Sequence, residues 1–261
     1  MLLAHKLYDS DGHTVYLFTD LVTGDGIQSN QLFIKNHHHS AIFDPGGALT
    51  YQPLNMAISK LSSIKELDYI FATHQDPDII TSIDKWIMYS DAKVVVSKLW
   101  ERFLPHLIPG YMGEKGDSRI VAIPDEGGTI PFGDSRIEAI PAHFLHSVGN
   151  IHFYDPVSKI LFSGDVGASL GDDSHEVPVE NFAQHVESME GFHKRYMVSN
   201  KACRHWVKRV RDLDVDMIVP QHGRPFKGEK VINEFLNWFE NLECGIDVMC
   251  KDKSVSKASV M

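Results

Sequence analysis

Residues 68–78 read Asp68-Tyr69-Ile70-Phe71-Ala72-Thr73-His74-Gln75-Asp76-Pro77-Asp78. An apolar run of strand length ends at Thr73, and three groups able to bind a metal follow at once. Asp76-Pro77 also has the form of a helix N-cap followed by proline at the first helical position. Asp78 would then sit in the first turn, where the helix dipole favours a carboxylate. Cap and ligand are both open readings of these carboxylates, and His74 at the strand edge favours the ligand.

The same design recurs further along the chain. Ile140–Leu145 is followed by His146, Ile160–Gly164 by Asp165, and Met217–Gln221 by His222. Taken singly, His146 reads as a hydrogen-bonded core or surface histidine, Asp165 as a turn residue and His222 as a loop residue. Together they place four chemistry-bearing sites at strand ends, where a rigid scaffold can aim loop side chains at one point. The set offers three imidazoles (His74, His146, His222) and three carboxylates (Asp76, Asp78, Asp165). Six donors exceed one tetrahedral zinc and suit two metals sharing a bridge, for which a carboxylate such as Asp165 has two oxygens. Three carboxylates and one hydroxide would balance two divalent ions, so the buried site need not carry net charge. Imidazole and carboxylate without thiolate favour iron or manganese over copper or a structural zinc.

Outward from these stretches, strands are predicted at 14–18, 31–34, 40–43, 67–72, 93–96, 119–123, 136–140, 150–154, 159–162 and 216–219. Helices are predicted at 53–61, 79–89, 99–107, 181–194, 201–213 and 229–242. Residues 167–179 read as a loop or lid. Such a mixture implies an α/β (α+β) chain with helical layers flanking a central pair of sheets. No linker divides it, so one domain over 1–250 is expected, with 251–261 a disordered tail. His37-His38-His39 reads as a surface hairpin turn. The helix around 231–242 has a broad apolar face that packs on the domain or serves a homodimer or receptor contact.

The chain has 261 residues, 43% hydrophobic and 23% charged, as in a soluble globular protein large enough to bury its own core. With 25 Lys+Arg against 35 Asp+Glu, its net charge of −10 argues against nucleic acid or anionic lipid as partner. It also suggests that a protein partner would present a neutral or basic patch. No apolar run reaches transmembrane length, and the opening MLLAHKLYDSDGH lacks the form of a secretory signal, so a cytoplasmic location is expected. Three cysteines without a C-x-x-C pair read as reduced thiols, whereas 15 histidines stand out as a store of metal ligands.

These motifs resemble the metallo-β-lactamase fold, a four-layer αββα sandwich, and within it the di-iron domain of flavodiiron proteins. The resemblance is carried by THQDPD (74–78 within it), HSVGN from His146 to Asn150, LFSGDVG with Asp165 and PQHGRP with His222, over roughly residues 12–227. The 19-residue interval from His146 to Asp165 matches the family. Zinc hydrolases of this fold usually show H-x-H-x-D-H; here Asp76 stands at the third position, as a carboxylate does in the flavodiiron branch. By this likeness His74, Asp76 and His146 hold one iron, Asp78 and His222 the other, and Asp165 bridges an oxo- or hydroxo-linked pair. Two departures matter. The position after Asp78, often a further histidine ligand, is Ile79, which implies an open coordination position. The chain also ends without the flavodoxin domain, so no built-in FMN is expected.

The combination is similar to stand-alone di-iron proteins that bind dioxygen, some of them sensors in chemotaxis signalling. The implied function is therefore an oxygen sensor with a protein partner in signalling. An alternative is an oxidoreductase acting on dioxygen or nitric oxide, fed by a separate electron-transfer partner. Further alternatives are a two-metal hydrolase and a metal-free binding scaffold. Tyr196 is a candidate hydrogen-bond donor to bound gas, with His185 and His193 as neighbours that could share the role. Asn150 is expected to fix the loop of His146, and His143 to pack or support that loop.

Overall fold

Neighbouring residues of a strand point to opposite faces, and in this chain both faces of most apolar runs are covered. The computed structural model describes residues 4–107, 119–171 and 174–251. Its first sheet runs in chain order through β1 (Ala4–Ser10), β2 (His13–Phe18), β3 (Gln31–Asn36), β4 (His39–Phe43), β5 (Tyr69–Phe71), β6 (Lys93–Ser97) and β7 (Ile120–Ile123). β1 to β4 are antiparallel, and β4 to β7 are parallel. The second sheet contains β8 (Gly128–Phe132), β9 (Ser135–Pro141), β10 (Ile151–Asp155), β11 (Ile160–Phe162), β12 (Met217–Val219) and β13 (Phe226–Lys227), again in that spatial order.

Helices α1 (Tyr51–Ile58), α2 (Pro77–Ile80) and α3 (Ile83–Tyr89) cover the first sheet. Helices α4 (Phe182–Tyr196), α5 (Asn200–Arg211) and α6 (Glu229–Glu240) cover the second, and a short α7 (Ile246–Met249) follows. The result is the expected αββα sandwich. Alternation sorts the side chains between layers. Val95 faces the other sheet while Val94 and Val96 face the helices; Phe71 and Ile70 divide likewise, as do Phe162 and Leu161. Between the sheets, Phe43 stacks on Phe71 at 4.6 Å and meets Phe153 and Phe162 edge-on at 5.8 and 6.1 Å. Each such buried ring contributes about 2–3 kcal/mol of hydrophobic stabilisation.

Strand direction puts the loops in position. β9 and β11 both pair antiparallel with β10, and β12 runs parallel to β11, so the C-terminal ends of β9, β11 and β12 share one edge. The C-terminal ends of β4 and β5 likewise share one edge of the first sheet. The two edges are tied together by the amide of Ile151, which donates to the Thr73 carbonyl at 3.0 Å.

Several expectations change. The single helix at 79–89 is two pieces, because the Ser82 hydroxyl and amide bond the carbonyl of Gly46 instead of continuing the helix. The stretch 99–107 holds only a 3-10 turn at Leu104–His106. β1 escapes a pattern search because it is an edge strand with mostly exposed side chains. The segment around 167–179 is irregular where described, yet tied down: the amides of Ser169 and Leu170 donate to His222 and Ser188, and Val179 to Pro225. The histidine triplet forms the β3–β4 hairpin turn, with Asn36 paired to His39. The apolar face of α6 is core, with Val231, Ile232, Phe235, Leu236 and Phe239 buried. The expected tail lies outside the described residues from 252 onward.

Candidate metal centre

His74, Asp76, His146 and Asp165 come from three separate loops, and their ligating atoms all lie within 4.8 Å of one another. Nε2 of His74 lies 3.6 Å from Asp76 Oδ2 and 3.7 Å from Asp165 Oδ2. Those distances are too long for hydrogen bonds, so the attraction is electrostatic. Nε2 of His146 lies 2.8 Å from Asp76 Oδ2 and 3.4 Å from Asp165 Oδ2. The remaining two candidates gather on the other oxygen of the central carboxylate. Nε2 of His222 is 3.5 Å from Asp165 Oδ1 and 3.4 Å from Asp78 Oδ2. All six residues singled out in the sequence therefore meet, in two donor sets joined at Asp165.

Asp76 occupies the N-cap position of α2, with Pro77 next, but its side chain makes no cap hydrogen bond. Its carboxylate turns to His146 instead. Ile79 is fully enclosed in the apolar layer between α2 and the first sheet and contributes no donor.

The imidazoles are oriented from behind. The Thr73 hydroxyl and amide donate to the two oxygens of the buried Asp44 carboxylate, each at 2.8 Å. The hydroxyl oxygen lies 2.9 Å from Nδ1 of His74. With its proton committed to Asp44, that oxygen accepts from Nδ1–H, which leaves Nε2 facing the carboxylates, where either a proton or a cation would sit. Likewise Nδ1 of His222 donates to the Gln28 carbonyl at 2.6 Å, leaving its Nε2 for the site. Turned so that its nitrogen faces acceptors, the Gln221 amide donates to Asp44 Oδ2 at 2.8 Å. Asp44, Thr73, Gln28 and Gln221 escaped the sequence reading as site residues. Asp44 follows an apolar strand just as His74 and Asp165 do, and that recurrence is the signal that could have found it.

His146 is presented by strained backbone: its φ is +70°, left-handed for a non-glycine residue. Asn150 holds the loop as expected, donating to the Leu145 carbonyl at 2.7 Å. Gly223, after His222, has φ +82°, and a Cβ there would meet Ser169 Oγ at 1.8 Å, so glycine is required. The His146 ring is covered by Phe192 and Tyr196, with centroids 5.7 and 5.2 Å away. The Tyr196 hydroxyl makes no hydrogen bond to another described residue. His193 is not free to donate to a ligand. Its Nδ1 donates to the Met189 carbonyl and its Nε2 accepts the amide of Gly167, both at 2.9 Å, so it braces the loop of Asp165. His143 lies away from the cluster, 3.2 Å from the Asp125 carbonyl.

Electrostatics mark the cluster as a cation site. Burial alone would lower the pKa of His74, but Asp165, Asp76 and Asp44 outweigh it and raise it to about 9. Burial alone would raise Asp76, yet His146 and His74 hold its carboxyl well below the usual range. Burial pushes Asp44 up to about 7 against the opposing pull of His74 and Thr73. Nε2 of His74 and Oδ1 of Asp165 are buried without a hydrogen-bond partner. Leaving such atoms bare costs about 1–3 kcal/mol each, and one cation in each donor set would satisfy them. A donor set of imidazoles and carboxylates, oriented from behind and split by one carboxylate, fits two hard or borderline divalent ions. A cleft of about 390 Å³, lined by Val22, Ile27 and Leu49, reaches Asp78. Among the described residues no helix is long and apolar enough to cross a membrane.

Comparison with known proteins gives the same picture. A family model described as "ODP family beta lactamase" matches residues 27–223. A solved structure described as the peroxy diiron species of the chemotaxis sensor ODP is 39% identical, with TM-score 0.83, over 95% of this chain and 99% of that one. The apo state of the chemotaxis sensor ODP from T. denticola is 38% identical, also at TM-score 0.83, over 96% and 99%. The flavodiiron protein from Giardia intestinalis shares the fold at 18% identity and TM-score 0.72, over 87% of this chain and 57% of its own. Among curated sequences, an uncharacterized protein of Methanocaldococcus jannaschii is 27% identical over 83% of this chain, which spans about half (54%) of that relative's length.

Proposed function

The chain belongs to the ODP family of beta lactamases, and from that premise we propose that it binds dioxygen at a pair of iron ions and acts as an oxygen sensor in chemotaxis signalling. The observation that carries the reading is the division of Asp165, one oxygen toward His74 and His146 and the other toward His222. In this reading His74, Asp76 and His146 would hold one iron and Asp78 and His222 the other, with Asp165 offering one carboxylate oxygen to each donor set. When bound, ferrous iron supplies a gas-binding position and electrons for dioxygen.

The chain's own residues supply the setting. Thr73 and the Gln28 carbonyl fix the imidazoles with their free nitrogens toward the carboxylates. Phe192 and Tyr196 shield the His146 side from water. Ile79 fills no coordination position, which favours a gas ligand on the side of Asp78 and His222. The apolar cleft beside Asp78 gives a small apolar gas a route that charged solutes would not share. The reading implies a cytoplasmic protein that reports to a protein partner, with residues 1–250 acting as one di-iron unit.

Anaerobic reconstitution with ferrous iron followed by exposure to air tests it. Two iron ions per chain and a slowly decaying coloured adduct, followed by optical absorption and Mössbauer spectra, are expected. Two zinc ions with esterase activity would replace the reading by a hydrolase. Rapid gas consumption with a supplied electron donor would replace it by a reductase.

A further inference from the structure

Charge is distributed unevenly over this acidic chain. Of its 25 Lys and Arg, five (Lys201, Arg204, Lys208, Arg209 and Arg211) fall within the 12 residues of α5, with His205 and without a carboxylate. Taking those five away leaves 20 cations against 35 acids for everything else. The buried face of α5 is Cys203, Trp206, Val207 and Val210. The cations occupy the other side: Lys201, Arg204, Lys208 and Arg211 are exposed and Arg209 is half-buried. Among the described residues only Arg211 has a carboxylate partner, Glu240 at 3.2 Å.

Fold stability does not explain this strip. Lys208, Arg209 and Arg211 suit the negative end of the helix dipole, but Lys201 and Arg204 lie near its positive end. Lys201, Arg204, Lys208 and Arg211 also follow one another at spacings of three and four, where like charges repel by a few tenths of a kcal/mol each. Beside the strip lies a cleft of about 450 Å³ with Phe144, Leu145, Ala202 and Trp206 in its lining and Lys201, His205 and Arg209 among its polar residues. Its acidic residue, Asp125, lies 3.8 Å from His143. Phe144 is 53% exposed and held at a left-handed φ of +66°, an exposed aromatic kept in a costly backbone conformation. It lies two residues before His146, and its carbonyl accepts the amide of Val198 at 3.2 Å, just ahead of α5.

We propose that the outer face of α5 and the adjoining cleft form the docking surface for an acidic amphipathic protein segment, whose carboxylates meet the lysines and arginines and whose bulky apolar side chain enters the cleft beside Phe144. This reverses the partner expected from net charge alone, because a local strip governs contact within a Debye length of about 8 Å. The strip is about 18 Å long, the rise of a 12-residue helix. That length suits a short protein segment. A nucleic acid or an anionic membrane extends beyond it and meets the acidic remainder of the surface. The chain's own residues 252–261 carry Lys253 and Lys257 against Asp252, so they do not complement the strip. That the bound segment belongs to a signalling partner rests on the sensor reading; the charge and the cleft do not.

The test uses iron-loaded protein and a fluorescent synthetic peptide of about 20 residues, rich in glutamate with two phenylalanines at helical spacing. Binding is followed by anisotropy. The triple variant K201E/R204E/K208E is expected to bind at least about tenfold more weakly, and a peptide without phenylalanine to lose about tenfold on the wild-type chain. Equal binding to the triple variant overturns the proposal. So does tighter binding of a single-stranded oligonucleotide or of phosphatidylglycerol vesicles through the same residues, or wild-type self-association that the variant abolishes. The variant should keep its iron content and its optical response to air. Loss of those in the wild type would count against the sensor reading and leave the docking result standing.

Discussion

Oδ1 of Asp165 lies 3.5 Å from Nε2 of His222, while its second oxygen lies 3.4 Å from Nε2 of His146. One carboxylate thus faces imidazoles that arrive from opposite sides of the site, from the loop after β9 and the loop after β12. Removing it should disconnect both donor sets. In Asp165→Ala, iron content by plasma emission should fall from two ions per chain to below about one, because each ion loses a ligand of its primary set. Retention of two tightly held ions would show that the bridge is dispensable.

Thr73 reaches no metal-facing atom, yet it links Asp44 to His74. Thr73→Val keeps the shape and removes the hydroxyl, so His74 loses the partner that fixes its ring. Iron affinity should fall about 10–100-fold, and Thr73→Ser should restore most of it. Competition with a chromogenic chelator measures both variants. An unchanged affinity in Thr73→Val would mean that burial alone holds the ring.

Burial holds His193 at a pKa of about 4, and both of its nitrogens are engaged with the imidazole neutral. Its folded pKa lies below the unfolded value of about 6.5, so the unfolded chain binds the proton more readily in this window. Its stabilising contribution is therefore present above pH 6.5 and lost as pH falls toward 4. Between pH 7.5 and 5 the wild-type chain should lose about 2 kcal/mol more than His193→Gln. Urea unfolding of both at the two pH values gives the difference, which also removes the opposing contributions of His74 and Asp44. Equal losses would show that His193 is not the titrating group.

Ile79 is enclosed among apolar side chains. Ile79→His would place a polar ring in that layer and should lower stability by about 2–4 kcal/mol, whereas Ile79→Val should cost about 1 kcal/mol. Thermal unfolding of the iron-free proteins gives both numbers. A histidine variant as stable as the wild type, with an altered dioxygen adduct, would mean that the new ring has swung to the metals.

The sandwich and the six side chains that gather around Asp165 were legible from the chain alone. Fully covered strands need apolar residues on both faces, so Phe71, Val95 and Phe162 stand in short continuous runs that are legible in one dimension. His74, Asp76, Asp78, His146, Asp165 and His222 announce themselves because each directly follows such a run or its turn. Where burial is absent the signal fails, as in the exposed edge strand β1; the expected helix at 79–89 fails for a different reason, because the buried Ser82 interrupts it through a bond to Gly46. Whether Asp76 caps a helix or faces an imidazole depended on packing, since both uses require the same residue at the same place in the chain. Packing also decided the roles of Asp44, Thr73 and Gln28, and turned His193 from a candidate donor into a brace for the Asp165 loop. Periodicity records which residues are buried within one element, whereas hydrogen-bond partners distant in sequence are chosen by how the elements pack.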